Sequence, residues 1–315
     1  EMPDLTPDIP DLRTVGDRQP DPLSIDFVYT LNLVLLKQNW FRDNALGQHQ
    51  PTVEVVGRFS STDDPEDVAA DIRNELGLTP DLRRVAGRGA YLSTLVAQAE
   101  AAGVLVMRSG IVGNNTRRPL SVDEFRGFAL VDQFAPVVFI NSKDAKAAQV
   151  FTLLHELAHI WVGQSGVSNF NPLGEQHDGI LEVFCNKVAV EALVPQSEFS
   201  DSWLVGRGVA DNVTSLSIKF KVSGIAILRR ALELDKISRQ EFFAELPNQT
   251  FDKPTVQSTG GDAYNTLPAR NSKKLTQALL QSMQEGGTLY RDAANLLGVK
   301  VTTAVSLGQR LREGV

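Results

Sequence analysis

Two histidines at helical spacing are the residues of this sequence with the clearest potential for chemistry. His155 and His159 lie four residues apart in the run FTLLHELAHIWVG, residues 151–163, so on a helix they share one face, a single turn apart. Two imidazoles placed in this way can bind one zinc ion. Glu156 would lie beside that ion, where its carboxylate can accept a proton from zinc-bound water. The pattern therefore predicts a zinc centre with Glu156 as general base.

The apolar character of this segment supports the metal interpretation. The alternative is a helix with two core histidines and a surface glutamate, because such a short motif also occurs by chance. Residues 145–162 are nevertheless so apolar that the helix is expected to be heavily buried. A buried polar group without a partner costs roughly 1 to 3 kcal/mol. A bound metal ion would supply the partner that both imidazoles need.

A zinc ion that keeps one position open for water needs a third protein ligand. Glu182 is the preferred candidate, because it begins a predicted helix over 181–194 and shares a face with residues three, four and seven positions later. His177 is the second choice, since it lies in a loop rich in glycine and asparagine. The full set of candidates downstream of the motif is Glu175, His177, Asp178, Glu182 and Glu191.

The predicted centre implies a hydrolytic reaction. Zinc lowers the pKa of its bound water towards about 7, Glu156 takes the proton, and the resulting hydroxide attacks a carbonyl carbon polarised by the same ion. Glu156 would then return the proton to the leaving amine. The predicted strand over 137–140 is expected to be a sheet edge on which an extended substrate could pair.

The elements around the centre predict an α+β fold. Helices are expected over 27–43, 66–76 and 88–102, with the second helix opened by Asp64 and Pro65. Short runs rich in Val, Ile and Phe over 104–108, 125–131 and 137–140 predict a small, largely antiparallel sheet. The histidine-bearing helix follows, and residues 163–179 are expected to form a loop before the next helix.

Beyond residue 205 the pattern is all-helical, and two segments there suggest a second kind of function. Residues 213–234 and 288–311 each have the helix, short turn and helix rhythm of a DNA-binding unit, or equally of a packed helical hairpin. Residues 266–315 carry seven basic against three acidic side chains, so DNA contact through the C-terminal helices is a candidate role. The predicted division is a lead-in over 1–25, a metallopeptidase domain over 26–205, and helical segments over 206–250 and 251–315.

Composition excludes several classes of protein. The chain has 315 residues, 42% of them hydrophobic, and a formal charge of -7, which argues against a protein that coats nucleic acid non-specifically. It contains no long apolar run typical of a membrane span and no basic, then apolar leader, so a cytoplasmic location is expected. Cys185, the single cysteine, excludes an intramolecular disulfide and is expected to lie in the core.

The combined motifs resemble the ImmA/IrrE family of zinc-dependent regulatory peptidases. The likeness rests on a strand ending in Asn141, on the FTLLHELAH run, and on LEVFCNKVAVEALVP, residues 181–195. The resemblance implies a zincin-like fold with His155, His159 and Glu182 as zinc ligands and Glu156 as general base. Cys185 stands where alanine is commoner in the family, which puts no catalytic role in doubt.

The resemblance also implies a biological role. Weaker likeness over 37–44, 222–238, 260–266 and 290–300 extends it to most of the chain. It implies cleavage of a helix-turn-helix repressor or antitoxin, and with it transcription regulation in stress response or toxin-antitoxin systems. Longer members often begin with a helix-turn-helix domain, and the chain starts where that domain would end, which favours a shortened or stand-alone version. A peptidase fold that senses a signal without cutting is the remaining alternative.

Overall fold

The computed structural model describes residues 24–85, 87–168, 179–249 and 263–313. Most of the predicted lead-in over 1–25 therefore lies outside the described residues, as do residues 250–262 and residues 169–178 of the predicted loop. Within the described ranges, no helix combines the length and apolar character that crossing a membrane requires.

A small mixed sheet forms the middle of the fold. The strands are β1 (Leu105–Ser109), β2 (Ile111–Val112), β3 (Asn115–Pro119), β4 (Gly127–Leu130), β5 (Val137–Asn141) and β6 (Gly166–Ser168). The four-stranded sheet has the order β1-β5-β4-β6, while β2 and β3 form a separate hairpin. β1 runs parallel to β5, and the other two pairings are antiparallel.

Two details of the sheet contradict the sequence prediction. The strand over 137–140 is not an edge, because β5 is paired on both sides, by β1 and by β4. All five of its residues are buried, as in central strands covered on both faces. The loop predicted over 163–179 contains β6, whose three residues are too few to show an alternating pattern. The edge strands of this sheet are β1 and β6.

Helices cover both faces of the sheet. They are α1 (Ile25–Gly47), α2 (Pro65–Glu75), α3 (Gly87–Ala101), α4 (Lys146–Val162), α5 (Ile180–Leu193), α6 (Gln196–Ser202), α7 (Val209–Phe220), α8 (Gly224–Glu233), α9 (Arg239–Glu245), α10 (Ala263–Asn271), α11 (Lys273–Gln284), α12 (Tyr290–Leu297) and α13 (Val301–Glu313). The α+β class and the all-helical C-terminal part are as predicted.

Two hydrophobic cores lie on opposite faces of the sheet. Alternate residues of β5 divide between them: Val138 and Ile140 join the core built by α2 to α9, whereas Val137 and Phe139 join the core of α1 with the C-terminal helices. In the second core Phe27 of α1 packs edge-on against Phe125, with ring centroids 4.8 Å apart. The first and the last helices of the described chain therefore cover the same face.

Both predicted helical hairpins are present, in different surroundings. α7 and α8 bury apolar side chains in the core that also contains α4 and α5. α12 and α13 are joined across Gly298, which ends α12 with a φ of 68°, a conformation that favours glycine. The domain boundary at 205/206 and DNA contact through the C-terminal helices stay predictions.

Candidate metal centre

Two buried amide side chains hold the first turn of α4 in place. Asn141, at the end of β5, donates from its side-chain amide to the carbonyl oxygens of Ser121 and Phe125. Gln149 donates in the same way to the carbonyl oxygens of Ser142 and Asp144. Both side chains are fully buried, so these hydrogen bonds fix the angle at which α4 leaves the sheet. Asn141, which the sequence places at the end of a strand, thus helps to orient α4.

The two histidines of α4 and Glu182 of α5 converge on one point. Nε2 of His155 lies 3.1 Å from Oε2 of Glu182, and Nε2 of His159 lies 3.2 Å from Oε1 of the same carboxylate. The two Nε2 atoms are 3.2 Å apart. Both histidines are buried, whereas the Glu182 side chain keeps 18% of its surface exposed. The structure thus brings together the three residues that the sequence singled out as ligands.

The end of α4 selects the tautomer of His159. Gly163 caps the helix with a φ of 74°, and the chain then turns so that the carbonyl oxygen of Gln164 lies 3.0 Å from Nδ1 of His159. A carbonyl oxygen only accepts, so Nδ1 carries the proton. Nε2 of the neutral ring is then left with its lone pair, which is the form a metal requires.

The atoms that meet here form an acceptor-rich set that suits a divalent cation. Three ligands at tetrahedral angles around zinc, with bonds of 2.0 to 2.1 Å, stand about 3.3 Å apart. The three measured separations, 3.1 to 3.2 Å, form a triangle of nearly that size. Two imidazoles and one carboxylate are also an established ligand set for catalytic zinc. The residues present therefore fit the ion.

The electrostatics of the cluster favour positive charge at the same point. Burial alone would raise the pKa of the Glu182 carboxyl, but its hydrogen bonds with His155 and His159 hold that pKa far below its usual range. Burial alone would lower the pKa of His159, but contacts with the Cys185 thiol and the Glu182 carboxylate hold it well above its ordinary value. Negative charge on Glu182 and positive charge on His159 thus stabilise each other at the point where a cation would bind.

Two glycines let the sheet approach this part of α4 closely. A Cβ atom on Gly127 of β4 would lie 2.9 Å from Oε1 of Glu156, and one on Gly166 of β6 would lie 2.5 Å from Cε1 of His159. Gly127 pairs with Ser168, and Gly166 with Ala129, so both glycines belong to one strand pair. Neither glycine was predicted from the sequence to belong to the site. The sequence did contain a signal for both residues, because glycine inside a strand often marks a place where another segment of the protein approaches closely.

The other candidate residues from the sequence lie in different places in the structure. Glu156 is fully buried, and its carboxylate lies close to Gly127 of β4. Cys185 lies in the core as predicted and contacts His159, and burial raises the pKa of its thiol. Glu191 points elsewhere, since its carboxylate pairs with Arg230. Three further ligand candidates lie outside the described residues: Glu175, His177 and Asp178.

A comparison with known protein families finds two matches in this chain. Residues 99–232 match the model of the peptidase family M78, described as an IrrE N-terminal-like domain. This range includes both histidines, Glu156 and Glu182. Residues 271–310, which cover α11, α12 and most of α13, match a second model described as a domain of unknown function (DUF8813). No curated protein matches the chain significantly.

Proposed function

Because the chain belongs to the ImmA/IrrE peptidase family through residues 99–232, we propose that it is a zinc-dependent endopeptidase. His155, His159 and Glu182 hold the ion, and Glu156 is the general base. The observation that carries the proposal is the triangle of two imidazole nitrogens and one carboxylate, with edges of 3.1 to 3.2 Å. A structural zinc site would require a fourth protein ligand, whereas three ligands leave room for water and substrate.

The residues of the chain divide the work of hydrolysis among them. A zinc ion bound here supplies Lewis acidity to the attacking water and to the substrate carbonyl. Glu156 follows His155 directly on the helix and accepts the proton from that water at its carboxylate, then delivers it to the leaving amine. The carbonyl of Gln164 keeps His159 in the ligating tautomer throughout.

The strand β6 offers the peptide substrate a place to bind. One of its edges pairs with β4, and on the other side it pairs with no strand of the described chain. An extended peptide added to that free edge would run past His159, because Gly166 of β6 lies directly against its ring. This edge replaces the strand over 137–140 as the expected substrate-pairing strand.

The proposed substrate is a helix-turn-helix repressor or antitoxin, cleaved to switch on the genes it controls. Family likeness supports this choice, and the regulatory role in transcription follows from it. Cleavage requires an extended segment of the repressor, such as a loop or a linker, because only extended backbone can pair with a strand edge.

Metal analysis combined with cleavage of the repressor encoded beside the gene tests the proposal. We expect about one zinc ion per chain and cleavage that stops when the metal is removed by a chelator. Glu182→Gln should lose most of the zinc. Glu156→Gln should keep the zinc but lower kcat by about 10² to 10⁴-fold, the usual contribution of a general base. Glu156→Gln with normal turnover would contradict the mechanism, and a zinc-loaded chain that leaves every repressor intact would contradict the substrate.

A further inference from the structure

A second site lies on the other face of the sheet, away from the metal centre. A cavity of about 160 Å³ opens between α1, the β2–β3 hairpin, and the helices α10 and α12. For comparison, a cavity of about 150 Å³ holds one benzene molecule. Tyr29 and Asn295 at the cavity are exposed, so solutes can reach it. It is therefore large enough for a small organic molecule.

The polar groups of this cavity are mainly cationic and amide. Lys37 extends from α1 and donates from Nζ to Oδ1 of Asn271, 2.6 Å away. Arg270 donates to Oδ1 of Asn114 at 2.9 Å. None of the described residues that line the cavity is acidic. Two cations therefore share a cavity without a carboxylate, in a chain whose formal charge is -7.

The Lys37 ammonium group is costly in its present surroundings. It forms no ion pair with any carboxylate in the described part of the chain, and its hydrogen bond goes to Asn271, a neutral amide. Burial lowers the pKa of Lys37 from 10.5 to about 8. At neutral pH the group is still charged, so the fold carries a partly desolvated cation that a bound anion would neutralise.

The Asn271 amide positions the Lys37 ammonium group at the cavity. Its Nδ2 atom donates to the carbonyl oxygens of Leu267 and Leu297, which fixes the orientation of the amide. Oδ1 is thereby directed at Nζ of Lys37. The ammonium retains two further N–H donors for a ligand, since it has three and uses one.

Much of the remaining lining is apolar, and this determines which kind of anion fits. Phe139 of β5 forms part of one wall, and other apolar side chains complete it: Leu33, Val34, Ile111, Leu296 and Leu297. We propose that this cavity binds a small organic carboxylate, with the carboxylate on Lys37 and Arg270 and an apolar body of about the size of one ring against Phe139. The site is independent of the metal centre and of the proposed peptidase activity.

Calorimetric titration of the 315-residue chain with benzoate tests the assignment. Benzamide serves as the neutral probe of the same shape, and inorganic phosphate as an anion without an apolar body. We expect saturable benzoate binding, with benzamide and phosphate each at least tenfold weaker, because a charge-assisted hydrogen bond contributes that much. Equal affinities for benzoate and benzamide, or tighter binding of phosphate than of benzoate, would overturn the proposal.

Variants locate the binding and control for folding. Lys37→Met should weaken benzoate binding at least tenfold and Arg270→Gln about three- to tenfold. Lys273→Met, which removes the same charge from an exposed position two residues beyond Asn271, should stay within twofold of the parent. Without ligand, Lys37→Met should unfold at the same temperature as the parent or higher. Unchanged affinity in both cavity variants, as expected if benzoate binds at the zinc instead, would refute the site.

Discussion

The two faces of the central sheet carry sites of opposite electrical character. On the face covered by α4 and α5, acceptor atoms from His155, His159 and Glu182 converge in an arrangement that suits a cation. On the face covered by α1 and the C-terminal helices, Lys37 and Arg270 share a cavity whose described lining residues include no acidic side chain. The first site is built from residues within 28 positions of one another, and the second from residues separated by more than 230 positions. The contrast shows which kind of site a sequence can reveal.

Crowding the metal centre from the sheet side should give the largest effect among the tests of this comparison. Gly166→Ala places a Cβ atom where only 2.5 Å separates it from Cε1 of His159, so the ring must turn or β6 must move. Displacing a ligand in this way should weaken zinc affinity by about 10 to 100-fold. Competition with a zinc chelator measures the change.

The matched control is Gly47→Ala, where an added Cβ atom meets nothing within 4 Å. Its zinc affinity should equal that of the parent. Parent-like zinc affinity in Gly166→Ala would mean that the close approach of β6 does not position His159.

Titrating the opposite site should give a smaller effect, on stability. Between pH 8 and 10.5 the unfolded chain still holds the Lys37 proton that the folded chain has released. Stability should therefore rise with pH across this window in the parent relative to Lys37→Met, by about 2 to 5 °C in unfolding temperature. Scanning calorimetry without added anions measures both proteins. A difference that does not change with pH would mean that Lys37 keeps an ordinary pKa.

Replacing Cys185 should have the smallest effect on either site. The thiol contacts His159, yet among the described residues the group of mutually close ligand atoms comprises His155, His159 and Glu182. Cys185→Ala should keep its full zinc content and lose about 1 kcal/mol of stability through a lost buried atom. Metal analysis and denaturant unfolding check the two expectations. Loss of zinc would make sulfur part of the ligand set.

Local periodicity explains what the sequence could predict. His155, Glu156 and His159 lie within one helical turn, and Glu182 follows from the face it shares on the next helix, so helical spacing alone brings these four to attention. The α+β class followed from the change of period near residue 104. Proline and glycine signals placed most helix boundaries within two residues.

The features that the sequence could not predict depend on pairing between residues that are far apart in the chain. β6 has three residues, and no pattern of that length indicates that it pairs with β4. For the same reason β5 was expected at an edge, because the positions of β1 and β4 around it depend on contacts that no local window contains. The Lys37 cavity needs α1 beside α10 and α12, and nothing near Lys37 in the sequence indicates that neighbour.

The shared second core has a consequence for how the chain folds. Met107 of β1 and Phe139 of β5 belong to the same core as side chains of α11 and α12, and these helices begin more than 130 residues later in the chain. During synthesis, β1 and β5 leave the ribosome before the helices that cover them have been made. Contacts of such sequence separation slow folding, so this apolar face is where a nascent chain would need protection from aggregation, and a fragment limited to residues 99–232 would keep that hazard permanently.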